Sequence, residues 1–239
     1  MIWYLFGITV IIIDVTEFSH VHEPNEQGHS GEHHGHHHDY PSANRDHYDK
    51  DAQAFDERPS HQELARRTTL MDYACGTGLV SRELSSHVKT VVGVDISQGM
   101  VDQYNLRVSN QGISPDEMKA VCIELKGSGE ELDGTKFDLI VCASSYHHFP
   151  SVDETTRILA TFLKPGGSLL VTDILKNDES KDILGDFGHV VAHTSGFSEE
   201  EVKGIFERAA LGEFSFTKAT KAKFHGNEVD MFLARGVKL

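Results

Sequence analysis

Two apolar segments that each end in an aspartate constrain the fold of this chain more than any other feature. The first, Leu70-Met71-Asp72, continues into a turn that contains Gly76 and Gly78, and the second runs from Val91 to Asp95. Short apolar runs rich in β-branched residues are typical of buried parallel strands. Glycine after such a strand lets the backbone take a positive φ and approach a ligand closely. The sequence therefore predicts two adjacent strands whose ends form a nucleotide-type site.

Beyond Tyr40 the chain alternates between further strand patterns and helical stretches. Strands are predicted at residues 69–73, 90–94, 118–123, 137–143 and 168–173, and helices at 80–87, 98–111 and 153–163. This order implies an α/β fold with a parallel sheet covered by helices on both faces. Lys164-Pro165-Gly166-Gly167 predicts a turn that separates the third helix from the fifth strand. Ser198 and Glu201 predict a capping box at the start of a further helix.

Length, charge and cysteine content limit the classes of function. With 239 residues and 38% hydrophobic residues, the chain is sufficient for one domain with a sizeable core. A net charge of −15 without a basic stripe argues against binding to nucleic acid. Three cysteines without Cys-x-x-Cys spacing predict neither a disulfide framework nor a zinc knot, which suits a reducing cytoplasm.

The N-terminal 40 residues differ from the rest and are predicted to form a leader before a catalytic domain at residues 41–239. Their apolar run, residues 1–13, is shorter than the roughly 18 to 20 residues that span a bilayer. The basic region and cleavage site of a secretory signal are also missing, so we expect no membrane partner, although a signal or anchor stays open as an alternative. Eight histidines between His20 and His38, among small and acidic residues, predict disorder.

The crowded histidines at residues 33–38 raise the question of a metal site. Neutral imidazole binds Zn²⁺, Ni²⁺ and Cu²⁺ well. A specific zinc site, however, needs about four ligands held in tetrahedral geometry by a folded frame. We therefore predict a solvated tail and no specific metal ligands, with a metal-binding or scaffold protein as an alternative.

The two aspartates carry the chemistry of the predicted site. A carboxylate at the end of the second strand, Asp95, can accept hydrogen bonds from both hydroxyls of a ribose. The alternative is that Asp72 and Asp95 only cap the helices that follow them. Capping explains neither the Gly-x-Gly turn nor the repeated order of strand and acid, so an adenosine cofactor is the favoured interpretation.

Taken together, these motifs resemble the class I S-adenosylmethionine-dependent methyltransferases that act on small molecules, including ubiquinone-biosynthesis enzymes and a fungal set. The resemblance covers roughly residues 40–238. It implies a Rossmann-like, doubly wound, mostly parallel sheet of seven strands with helices on both faces. The implied strand order is 3-2-1-4-5-7-6, with strand 7 antiparallel and the last two strands at residues 214–217 and 229–234.

The resemblance also implies which residues bind S-adenosylmethionine. The first motif would hold the methionine part, Asp95 the ribose, and apolar side chains would sandwich the adenine, with Glu124 near its amino group. The implied cofactor residues are Asp72, Ala74, Gly76, Gly78, Asp95, Ile96, Met100, Glu124, Leu125 and Ala143.

Methyl transfer from a sulfonium is an in-line displacement, so the protein mainly positions the acceptor and excludes water. His147 and His148, just after the fourth strand, are candidate general bases, with lining of the acceptor pocket as the alternative role. The family's N-terminal helix matches residues 48–56, which implies that Tyr48 and Phe55 contact the acceptor. Asp173, His189 and His193 could face the acceptor, or could serve as a cap and as surface residues.

Two departures from the family pattern qualify the resemblance. Ala74 stands where the motif often has its first glycine, and Ile123 stands near another such position. Only residues 60–68 separate the N-terminal cap from the first strand, so a helix that covers the sheet is expected to be truncated. The run 76–81 also approximates Gly-x-Gly-x-x-Gly, which leaves an NAD(P)-dependent oxidoreductase as an alternative.

Overall fold

The computed structural model describes residues 67–177, 191–224 and 227–239. The histidine-rich leader, Tyr48, Phe55, His189 and residues 60–66 of the short segment before the first strand lie outside the described residues. None of the helices in the described ranges is long and apolar enough to cross a membrane.

Seven strands form one sheet in the order β3-β2-β1-β4-β5-β7-β6. All neighbouring pairs from β3 to β5 are parallel, and β7 is antiparallel to both β5 and β6. The predicted fold class and strand order are therefore confirmed. The strands are β1 (Thr69–Tyr73), β2 (Thr90–Asp95), β3 (Met118–Cys122), β4 (Phe137–Ala143), β5 (Leu163–Ile174), β6 (Leu211–Phe224) and β7 (Asn227–Lys238).

Helices connect the parallel strands and cover both faces of the sheet. They are α1 (Leu79–Leu84), α2 (Gln98–Asn110), α3 (Val152–Phe162) and α4 (Glu199–Arg208), with short 3-10 turns at Ser85–His87, Glu131–Gly134 and Tyr146–His148. The predicted capping box of α4 is confirmed, because the Glu201 N–H donates to Ser198 Oγ at 3.3 Å and the Ser198 N–H donates to Glu201 Oε2 at 2.7 Å.

The alternation of side chains along the strands divides the core between the two faces. Leu70, Val91 and Leu139 pack with α1 and α2, whereas Met71 and Ile140 pack with α3 and α4. Full burial of one large apolar side chain contributes roughly 1.5–3 kcal/mol. The residues of α2 and α4 that enter these cores are Val101, Tyr104, Val108, Val202, Ile205 and Phe206.

The fifth strand and the closing hairpin are longer than predicted. The fifth strand begins at Leu163 rather than at residue 168, because the Pro-Gly-Gly segment forms an irregularity inside the pairing of β4 with β5 instead of a separate turn. Gly166 takes a φ of 77° there. The closing hairpin is also much longer than the predicted segments 214–217 and 229–234, since its two strands pair along Leu211–Phe224 and Asn227–Lys238.

The length of the hairpin carries it past the edge of the sheet. β5 pairs with β7 only as far as Ile174 and Met231. The β6–β7 pairing continues beyond that point to Phe224 and Asn227. The tip of the hairpin therefore projects from the carboxyl edge of the parallel strands, where the candidate site lies.

Candidate active site

A cavity of about 630 Å³ lies where the chain order of the strands reverses. β1 has β2 on one side and β4 on the other, so the connections that leave β1 and β4 diverge and open a crevice between them. Its described lining comes from the segment from Asp72 to Val80, from Ala143 and Ser144 at the carboxyl end of β4, and from the hairpin. The volume is in the range of ligand pockets, and the position is the usual ligand site of open α/β sheets.

The turn after β1 exposes its backbone toward this cavity. Ala74, Gly76 and Gly78 all take positive φ angles, of 58°, 53° and 81°. A Cβ atom on Gly76 would meet no atom within 4 Å, so this position leaves room for a ligand. A Cβ on Gly78 would lie 2.6 Å from the buried Tyr104 ring, which makes that glycine a packing requirement. Ala74 occupies a left-handed conformation that costs an L-residue about 1 kcal/mol or more.

Asp72 is a buried carboxylate in the wall of the cavity. Its Oδ2 accepts hydrogen bonds from the Ser81 hydroxyl at 2.6 Å and from the Ser81 N–H, in the first turn of α1, at 3.2 Å. This is the capping role that the sequence left open. Burial raises the pKa of Asp72 to about 6, although the two bonds from Ser81 oppose the shift. Among the described residues, Oδ1 accepts no hydrogen bond, so it is the oxygen available to a ligand.

Asp95 joins the ends of β1 and β2. Its Oδ2 accepts the Gly76 N–H at 2.9 Å, and its Oδ1 accepts the Ser97 N–H at 2.9 Å. The bond to Gly76 crosses from one strand end to the next, which local capping does not do. An ionised carboxylate offers about four acceptor positions, so two remain for the hydroxyls of a ribose.

The predicted adenine residues lie beyond Asp95, outside the described lining of the cavity. Ile96 and Met100 are 74% and 45% exposed, so both present apolar surface for a flat ring. The Glu124 side chain is exposed and forms an ion pair with Lys126 at 2.6 Å. Leu125 is buried in the core beneath α3 and α4, so its side chain is not accessible to a cofactor.

The two candidate histidines differ in their surroundings. His147 is buried, and its Nδ1 lies 2.8 and 3.0 Å from the two carboxylate oxygens of Asp173. Asp173 is fully buried and also accepts the N–H groups of His147 and Ile174, at 3.2 and 2.7 Å. It therefore holds His147 rather than facing an acceptor or capping a helix. The exposed His148 ring lies against His147, with centroids 4.2 Å apart.

Neither histidine is among the described residues that line the cavity. They follow Ser144 by only three and four residues, on the 3-10 turn after β4. His193 lies nearby, with its backbone N–H donating to the His147 carbonyl and its Nε2 3.1 Å from the Phe149 carbonyl. His193 thus supports the loop that carries the histidine pair.

The hairpin supplies site residues that the sequence did not reveal. Lys221, Ala222, Lys223, Glu228 and Met231 line the cavity together with the first turn. Charged and apolar residues alternate along this part of the hairpin, as they do on any strand with one solvated face. The sequence therefore gave no sign that these residues line a site. Only the length of the hairpin, which depends on pairing, brings these residues to the carboxyl edge.

Comparison with known proteins shows which family this chain matches. A family model described as a methyltransferase domain matches residues 36–211. An uncharacterized methyltransferase of Schizosaccharomyces pombe is 36% identical over 152 residues, which cover 60% of this chain and 53% of that protein. A ubiquinone biosynthesis O-methyltransferase of Coxiella burnetii is 29% identical over 108 residues, 45% of this chain and 44% of that protein. The chain thus spans about half the length of the curated relatives it matches.

A solved SAM-dependent methyltransferase of Methanosarcina mazei has the same fold, with a TM-score of 0.59 and 19% identity. The match covers 75% of this chain and 96% of that one. These relatives give no support to a nicotinamide-dependent oxidoreductase or to a non-catalytic metal-binding protein.

Proposed function

The chain belongs to the methyltransferase-domain family, and from this premise we propose that it transfers a methyl group from S-adenosylmethionine to a small-molecule acceptor. The observation that carries the proposal is the cavity at the reversal of strand order, with Asp95 connecting the turn after β1 to the end of β2. Both features match what an elongated ligand with an adenosine half and an amino-acid half requires.

The residues present fit this cofactor. Asp95 would hold the ribose, Ile96 and Met100 the adenine, and Oδ1 of Asp72 the ammonium of the methionine part. The cofactor itself supplies the electrophilic methyl group, so the protein needs no nucleophile. Its contribution is to orient the acceptor and to exclude water.

The experiment is equilibrium binding of S-adenosylhomocysteine, measured by calorimetry. We expect wild-type protein to bind it in the micromolar range and Asp95→Ala to lose binding. Asp116→Ala, which removes an exposed carboxylate before β3, is the matched control and should bind like wild type. Because Asp95 also orders the turn, circular dichroism must verify that the variant is folded. Unchanged binding in folded Asp95→Ala, or binding of NADH instead, would overturn the proposal.

We further propose that the histidine pair removes a proton from the acceptor. The Asp173 carboxyl accepts the Nδ1–H of His147, which leaves the lone pair of the ring on Nε2 and fixes the ring. His147 is buried, so it acts as a positioning residue for the exposed His148 ring, whose centroid lies 4.2 Å from its own. His148 would be the general base, consistent with its place just after β4.

The test begins with a screen of metabolite extracts with methyl-labelled cofactor, which identifies an acceptor. With that acceptor, His148→Gln should lower kcat about 100-fold and remove the acidic limb of the pH profile, while affinity for S-adenosylhomocysteine stays constant. His147→Gln should lower kcat but keep the limb. His87→Gln, at the opposite edge of the sheet, is the control. A pH profile that His148→Gln leaves unaltered would exclude a base role for His148.

A further inference from the structure

The end of the β6–β7 hairpin places two cations in the wall of the cavity. Lys221 and Lys223 are the basic side chains among the described lining residues, and Asp72 and Glu228 are the acidic ones. A local concentration of lysine is unusual in a chain with a net charge of −15. It lies where the turn after β1 and the hairpin face one cavity, so an anionic group bound there would be stabilised.

The two lysines differ in their partners. Lys221 forms an ion pair with Glu228. Lys223 lies directly opposite Glu228 in the strand register, yet it makes no hydrogen bond or ion pair with any residue that the structure describes. The hydrogen bond from Lys221 lowers the pKa of the Glu228 carboxyl, and the charge of Lys223 adds to this shift. Among the hairpin residues that line the cavity, two lysines are thus balanced by one acid, and the Lys223 ammonium is exposed.

The lining identifies which part of the cofactor this cation would meet. The cavity includes Ala74, Gly76 and Ala143 but none of Ile96, Met100 or Glu124, so its described wall belongs to the methionine half of the site. That half of the cofactor carries one ammonium and one carboxylate. Asp72 offers an oxygen to the ammonium, and the described wall of the turn after β1 offers no cation to the carboxylate.

We propose that Lys223 binds the carboxylate of the methionine part of the cofactor, so that the hairpin forms the outer wall of the cofactor site. The proposal rests on the proposed function. It assigns to the closing hairpin a direct contact with the donor, whereas the sequence suggested only a structural hairpin. A charge-assisted contact of this kind is stronger than one between neutral groups.

The experiment compares two ligands that differ only in the part the lysine would contact. S-Adenosylhomocysteine carries the amino acid group, and 5′-methylthioadenosine lacks it. Calorimetric titrations of the full chain with each ligand are made for wild type, Lys223→Ala and Lys223→Glu. Lys89→Ala, which removes an exposed lysine just before β2 at the opposite edge of the sheet, is the matched control.

We expect Lys223→Ala to weaken binding of S-adenosylhomocysteine about 10-fold and Lys223→Glu to weaken it further. Binding of 5′-methylthioadenosine should stay within twofold in both variants, and Lys89→Ala should match wild type for both ligands. An equal loss for the two ligands, or no loss for either, would overturn the proposal while leaving the proposed function intact. A defect confined to turnover of an acceptor would overturn it too, because Lys223 would then contact the acceptor. Wild-type protein that binds neither ligand would refute the proposed function itself.

Discussion

Among single residues, Asp72 lowers the stability of the fold at neutral pH, because its carboxylate is buried. Its pKa of about 6 results mainly from burial, which penalises the charged form. Because this value lies above the ordinary 3.8, the folded state holds the proton more tightly than the unfolded state does. Asp72 therefore contributes stability that is fully present below pH 3.8 and is lost as the pH rises to about 6. The difference corresponds to about 3 kcal/mol at neutral pH.

Replacing Asp72 by asparagine should reverse this loss. Asparagine keeps an acceptor for the Ser81 hydroxyl and has no charge to bury. We expect Asp72→Asn to raise the free energy of unfolding by about 1–3 kcal/mol at pH 8 and to have little effect near pH 4. The same variant should bind S-adenosylhomocysteine more weakly, because the ammonium loses its carboxylate.

Urea unfolding of wild type and variant at the two pH values measures this effect. Asp116→Asn, at an exposed position, should change stability at neither pH. A gain of the same size at pH 4 and pH 8 would show that the effect does not come from the buried charge.

At the scale of elements, two residues of α2 hold the turn after β1: Arg107, whose Nη1 donates to the Thr77 carbonyl at 3.0 Å, and Tyr104. Tyr104 of α2 is buried against Gly78 and also approaches Gly93 of β2. The glycine spacing of the first motif thus serves two purposes. Gly76 leaves open space at the cavity, and Gly78 allows α2 to pack close to the turn.

Alanine substitutions separate the two purposes. Gly76→Ala and Gly78→Ala both place an L-residue at positive φ, which costs about 1–2 kcal/mol. Only Gly78→Ala also drives a methyl group into the Tyr104 ring, which adds about 1–3 kcal/mol of overpacking. We expect Gly78→Ala to be the less stable variant by at least 1 kcal/mol in chemical denaturation, and Gly76→Ala to weaken ligand binding more than its stability loss explains. Equal destabilisation would show that Tyr104 yields to the added methyl group.

For the whole molecule, the family resemblance predicted the strand order of the sheet, whereas the sequence pattern underestimated the length of the closing hairpin. The strands at residues 69–73 and 137–143 match at both ends, because buried apolar runs are bounded by turns. The hairpin was underestimated, because beyond the end of β5 charged residues alternate with Ala222 and Val229, and this apolar pattern is short. Lys223 could not be predicted for the same reason. The division into a leader at residues 1–40 and a domain at residues 41–239 stays a prediction.

The hydrogen bond from Gly76 to Asp95 has a thermodynamic consequence for the whole site. In the proposed site, one carboxylate orders the turn beside the methionine half and would also face the ribose of the adenosine half. Because this hydrogen bond is present before any ligand binds, the turn is ordered by folding, and its ordering does not reduce the affinity for a ligand. The site would therefore be preorganised, so that an adenosine fragment and a homocysteine fragment would each bind without first ordering the turn.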